Sequence, residues 1–187
     1  VAVLLAAYTV ASWIVGAKVE SALNEQYRLL ESVPYLKLVE RKYERGIFSS
    51  AETATIELMG DMVRAIEQAR RETAAGKAGE AVAPLRFSVH SRISHGPLPR
   101  LSMFAAALSE SELALDGQMG QSQRELLGER KPLRARTVYR FDGGGSADLA
   151  SPAFAARLPG GPQQPPSRVS WEGFTANIVF ERNFAAY

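Results

Sequence analysis

Two histidines, His90 and His95, are the first candidates for chemistry, and the chain has no cysteine. A metal pair on one strand face needs positions i and i+2, and a zinc site needs three or four clustered ligands. His90 and His95 are five residues apart, with no third His or carboxylate accompanying them. The spacing predicts a surface His90, a turn-capping His95 and no metal site. Ser49-Ser50 offers hydroxyls on an expected strand. A nucleophilic Ser needs a base within hydrogen-bond reach. His95 could supply one across the fold, but no Gly-x-Ser-x-Gly elbow is present. These serines read instead as small side chains that let a neighbouring helix approach. Asp142-Gly143-Gly144-Gly145 lacks the Lys-Ser/Thr of a phosphate loop and the spaced carboxylates of a calcium loop. It reads as a hairpin turn. Glu129-Arg130-Lys131 and Arg134-Ala135-Arg136 form a locally basic region. A solvated face is the plain reading, and contact with anionic headgroups the sharper one. The expectation is a chain that is not an enzyme, with no catalytic residue, no cofactor and no metal.

The elements that would position these residues are mostly strands. Leu85 to Ile93 alternates cleanly, with Leu85, Phe87, Val89 and Ile93 on one face and Arg86, Ser88, His90 and Arg92 on the other. Tyr35 to Tyr43 and Ile47 to Leu58 read as strands joined at Arg45-Gly46. In the second, Phe48, Ala54, Ile56 and Leu58 share one parity. Leu133 to Phe141, Ser146 to Ala150 and two runs within Arg168 to Phe184, bent at Glu172-Gly173, add further strands. Gly60 to Arg71 reads as a helix with Met62, Ala65, Ile66 and Ala69 on one side. Ser102 to Ala107 and Gln121 to Leu127 read as short helices, and Ser111 to Leu115 as a short strand. Thr73 to Gly79 and the Pro-rich Leu158 to Ser167 read as loops.

No charged side chain occurs from Val1 to Ala17. Seventeen residues of helix span about 25 Å, just short of a hydrocarbon core of about 30 Å. A membrane anchor fits better than a cleaved signal, because Ala11-Ser12-Trp13 and Val15-Gly16-Ala17 are poor small-x-small cleavage sites. It also fits better than a core helix, which would carry a fuller polar stripe. The anchor residues are Val3, Leu4, Leu5, Tyr8, Val10, Trp13, Ile14 and Val15, with Trp13 near one interface. Val19, Leu23, Tyr27 and Leu30 continue a helical stripe until Pro34 intervenes. The expected fold class is therefore α+β. An N-terminal anchor helix, 1–17, continues into an amphipathic helix, 18–33, packed on a curved antiparallel sheet of hairpins, 34–187. The anchor is expected to lack its start, and the sheet domain to be incomplete at its C-terminus or covered there by a partner.

Composition sets outer limits. The 187 residues suit one medium domain, and 46% are hydrophobic. With 22 basic and 20 acidic residues and no basic block, a nucleic-acid partner is not expected. The absence of cysteine removes disulfides and thiolate chemistry.

Several short segments occur in a telling order: Gly16-Ala17-Lys18-Val19-Glu20, Pro34-Tyr35, Tyr43-Glu44-Arg45-Gly46-Ile47-Phe48-Ser49-Ser50 and Ile93-Ser94-His95-Gly96-Pro97. Together they resemble the YdgA-like family of Gram-negative bacteria, whose domain has no assigned function. The family-motif residues are Gly16, Glu20, Tyr43, Gly46, Phe48, Ser49, Ser50, His95, Gly96 and Pro97. The resemblance implies a single-pass inner-membrane protein with its N-terminus inside and its bulk in the periplasm. It implies a longer chain, of which these residues are the front part, and no reaction.

Two functions follow as expectations. The first is an envelope interaction or scaffold protein, with the lipid bilayer held through the N-terminal helix and an envelope protein as partner. A homo-oligomer is the further partner expected. The alternative is a lipid or hydrophobic-ligand carrier with an apolar sheet groove formed by Phe87, Val89, Trp171, Phe174, Ile178 and Phe180.

Overall fold

A computed structural model describes residues 2–73, 84–158 and 167–181. It opens with one continuous helix, α1 (Ala2–Glu31). β1 (Leu36–Arg45) and β2 (Ser49–Leu58) follow as a hairpin, then α2 (Gly60–Thr73) and β3 (Leu85–His95). A short 3-10 turn, Pro99–Leu101, leads to β4 (Ala107–Leu115), and α3 (Gly117–Leu127) leads to β5 (Leu133–Tyr139). The chain continues through β6 (Gly145–Ser151), β7 (Phe154–Leu158), β8 (Ser167–Trp171) and β9 (Phe174–Phe180).

Seven strands form one antiparallel sheet in the order β1-β2-β3-β4-β5-β6-β9, and β7 pairs with β8 as a separate ribbon. The fold is α+β, a long N-terminal helix followed by a large sheet of hairpins. Several boundaries differ from the sequence expectation. Ser102 to Ala107 is not helical; β4 starts at Ala107 and absorbs the expected short strand. The β7–β8 ribbon flanks the Pro-rich segment, whose residues 159–166 lie outside the described residues, as does the expected loop from residue 74 to 79. Gly173, at φ 79°, makes the expected bend between β8 and β9.

The register sorts the sheet into two faces. Tyr43, Glu52, Ser91, Ser111, Ala135, Leu149 and Ala176 lie in one cross-strand row on the helix side. The core beneath α1 joins Val19 and Leu23 to Ile93 and Ala107, with Val15, Tyr43 and Tyr139 packed around them. A bulge between Leu38 and Glu40 switches parity in β1. Leu36 and Leu38 face the helix before it, and Arg41, Tyr43 and Arg45 after it.

The opposite face is charged. Glu110, Arg136, Asp148 and Asn177 align across four strands, and Glu112 lies opposite Arg134 in the next row. A channel of about 580 Å³ runs between these rows. The basic Arg134 and Arg136 are thus spread into cross-strand pairs with acids, the solvated arrangement. Glu57 is buried on this side and held by Arg64 at 2.7 Å and Arg86 at 2.9 Å. The Arg64 guanidinium, and then Arg86, hold its carboxyl below the usual carboxylate range. That ion pair helps set the rotation of α2. Of the apolar side expected on this helix, Met62 and Ile66 are exposed, and Glu67 is buried.

Candidate functional site

The family-motif segments meet where α1 crosses the end of the sheet. The helix buries Ser12, Gly16, Val19 and Leu23, at spacings of 4, 3 and 4. This is a continuous helical stripe. It begins inside the uncharged segment and runs past Lys18 without a break. Among 2–7, by contrast, every residue is exposed. Over the most apolar 18-residue window 11% is buried. This helix is long and apolar enough to cross a membrane, with a mean hydropathy of 1.7 over that window.

Two glycines permit the close crossing. A methyl group on Gly16 would lie 2.6 Å from Cε1 of the His95 ring. Gly96 has a φ of +119°, and its missing side chain leaves the space taken by the Ser12 hydroxyl. His95 is therefore wedged between helix and sheet, 1% exposed. Nδ1 lies 3.1 Å from the Ser12 carbonyl oxygen. A carbonyl only accepts, so Nδ1 carries the proton and Nε2 accepts from the Ser50 hydroxyl, 3.1 Å away. Burial pushes the imidazole below its ordinary pKa, opposed by the Ser12 and Ser49 carbonyls and joined by the nearby Arg45 charge.

The β1–β2 turn supplies the next layer. Gly46 donates its N–H to the Ser49 carbonyl at 2.8 Å, and His95 donates its own N–H to the Phe48 carbonyl at 3.0 Å. Tyr8 stacks on Phe48 with centroids 5.8 Å apart and donates to the Leu98 carbonyl at 3.0 Å. Arg45 bonds Glu20 at 2.9 Å and lies 5.5 Å from the Trp13 ring centroid. Further along α1, Arg41 bonds Glu52 at 2.6 Å and sits 4.6 Å from the Tyr27 centroid. Burial, then the Glu52 carboxylate, raises the Tyr27 phenol well above its ordinary range. Burial also pushes the Tyr43 phenol up. Its hydroxyl and that of Ser12 are buried without a partner of hydrogen-bond geometry; the Ser50 hydroxyl lies close enough to Tyr43 to oppose part of the shift.

Gly16, Glu20, Tyr43, Gly46, Phe48, Ser50, His95 and Gly96 thus belong to one clasp. Pro97 opens the loop beyond it, and Ser49 points to the opposite face beside Ser94. His95 is not a turn cap at the surface; the turn folds its ring under α1. His90 is exposed on the charged face, beside Thr53 at 3.2 Å. The Ser50–His95 contact has the polarity of a nucleophile and its base, but Ser50 is 4% exposed and the ring is sealed by α1. A cavity of about 320 Å³ lies at the β1–β2 turn, lined by Glu44, Arg45, Gly46, Ser49, Ser50, Ala51 and Arg92, so it reaches Ser50 at the edge of the clasp. Glu44, Ser49, Ala51 and Arg92 register with the charged face, and Arg45 and Ser50 with the face that carries the ring.

The six groove candidates do not line one groove. Phe87 and Val89 lie on β3, while Phe174, Ile178 and Phe180 lie on β9, with β4, β5 and β6 between them. Trp171 belongs to the separate ribbon and meets Phe174 edge to face at 6.1 Å. Phe180 is buried against Tyr139, 5.9 Å between centroids. Neither cavity described above is lined by any of the six. Among the described residues no group of three or more His, Asp or Glu could hold a metal ion. What the sequence missed is Ser12. A lone Ser in an apolar segment carries little signal, and only its spacing of four from Gly16 points to the docked face.

A family model described as "Bacterial protein of unknown function (DUF945)" matches residues 1–187. No curated protein and no solved structure matches the chain. The chain belongs to this family of bacterial proteins of unknown function.

Proposed function

We propose that the chain is a membrane-anchored, non-catalytic interaction module of the bacterial envelope. Its apolar helix is retained in the mature protein and clamped to the sheet, which it holds at a fixed attitude to the inner membrane on the periplasmic side. The clasp carries this reading. A cleaved signal contributes nothing to the mature fold, whereas Ser12 and Gly16 fill fitted space against His95 and Gly96. Removing them would uncover a buried imidazole and part of the core.

The partner surface we assign is the edge of the sheet at β9. β1, the opposite edge, is guarded by Lys37, Glu40, Lys42, Glu44 and a bulge. β9 reads Phe-Thr-Ala-Asn-Ile-Val-Phe, with no charge, and among the described residues no strand pairs with its outer side. Such an edge suits strand addition by a protein partner or a second copy of the chain.

Protease treatment of spheroplasts tests the topology. Added protease should digest the sheet domain of the full chain without lysis, and the chain should sediment with membranes after alkaline washing. Digestion only after lysis would place the sheet inside and overturn the reading.

A further inference from the structure

The strand-connecting loops at the clasp end expose apolar side chains in one continuous patch. Ile47 and Phe48 lie in the β1–β2 turn, Leu98, Leu101 and Phe104 between β3 and β4, and Phe141 in the β5–β6 turn. Leu101 is 77% and Phe104 78% exposed. Contacts join the three loops to each other and to α1. Phe104 meets Phe141 with centroids 5.0 Å apart, and Tyr8 links Phe48 to the Leu98 carbonyl.

Arg100 and Leu101 both adopt left-handed backbone, at φ 52° and 56°, a strained choice for residues other than glycine. An arginine lies in or beside each loop: Arg45 at the end of β1, Arg100 between β3 and β4, and Arg140 after β5. Each is tied to an acid, Glu20, Glu110 and Asp142 respectively. Aromatic and aliphatic side chains flanked by arginine suit the boundary between headgroups and acyl chains. Exposed apolar side chains elsewhere, such as Met62 and Ile66 on α2, have no such continuity with α1.

We infer that these three loop tips form a collar that dips into the bilayer surface where α1 enters it, so that the sheet stands end-on in contact with lipid. This rests on the reading of α1 as a membrane anchor. Tyr8 fixes the depth. It is inside the uncharged segment and touches Phe48 and the Leu98 carbonyl, so a bilayer surface at Tyr8 reaches the loop tips. Of the expected anchor residues Val3, Leu4 and Leu5 then lie in lipid, while Trp13 and Val15 stand outside it beside Arg45 and the sheet core.

The natural absence of cysteine permits a direct test. Full chains carrying Leu5→Cys, Leu101→Cys, Phe104→Cys or Gln121→Cys would be labelled with an environment-sensitive fluorophore. They would be reconstituted in phosphatidylethanolamine–phosphatidylglycerol vesicles containing acyl-chain spin-labelled lipid. Blue-shifted, quenched emission is expected at residues 5, 101 and 104, with unshifted, unquenched emission at 121 on α3. Quenching at 5 with aqueous emission at both 101 and 104 would overturn the collar and leave the anchor standing. Aqueous emission at 5 as well would overturn both.

Discussion

The imidazole of His95 occupies the space that a side chain on Gly16 would need, 2.6 Å from where its Cβ would stand. A residue at the end of the third strand and one in the middle of the first helix are therefore mutually limiting. That relationship is what fixes the apolar helix to the sheet.

Gly16→Ala should destabilise the fold although alanine favours helix. The propensity gain is about 1 kcal/mol, and overpacking against the ring costs roughly 1–3 kcal/mol. In His95→Ala the ring is gone, so adding Gly16→Ala should cost nothing or stabilise. Denaturant melts of the four proteins in detergent give the coupling; independent effects would sink the proposed contact.

Stability should fall between neutral and mildly acidic pH. Burial lowers the folded-state pKa of His95, while the unfolded value stays near ~6.5. Below that value the unfolded chain takes up a proton the folded chain refuses, so stability drops as pH falls from about 7 towards the depressed folded pKa and is level above it. His95→Gln should flatten this part of the profile. An unchanged slope in the variant would assign the effect to other groups.

Ser50→Ala removes the donor to the buried Nε2 and should cost about 1–3 kcal/mol. His95→Leu keeps an apolar wedge but strands the Ser50 hydroxyl, for about 1–3 kcal/mol. Thermal unfolding ranks the two. A larger loss from Ser50→Ala would mean that Ser50 has a second partner of greater weight.

On the charged face, Arg136→Glu would put three acids in register at 110, 136 and 148. The expected loss is roughly 1 kcal/mol, recovered in part by adding Glu110→Arg. Measurement in high salt should shrink both effects. Salt-independent losses would point to packing instead of charge.

Ile178→Lys charges the β9 edge. If that edge recruits strands, sedimentation of the full chain in detergent should show less self-association or less partner bound than wild type. Equal association would move the contact elsewhere.

The α+β class was legible because long runs such as Leu85 to Ile93 keep strict alternation and 2–31 lacks proline and glycine pairs. The β1 register was not, since the bulge at Val39 trades Leu36 and Leu38 for Arg41, Tyr43 and Arg45 on the helix side. An arginine on a buried face looks misplaced until Glu52 and Tyr27 supply its partners. The clasp was half visible. Ser50 reads as a site of close helix approach, and the motif segments stand out together, but nothing local says that they converge. The burial of His95 depends on a helix 83 residues away. The exposure of Met62 and Ile66 was hidden too, because helical periodicity reports an apolar stripe and not which way it faces.

The most direct test of the account is the intact mass of the full chain recovered from bacterial membranes. A mass that includes Ser12 and Gly16, in the membrane fraction, is the predicted result. A chain whose N-terminus begins after Gly16 would show that the clasp is absent from the mature protein and would contradict the account at its centre.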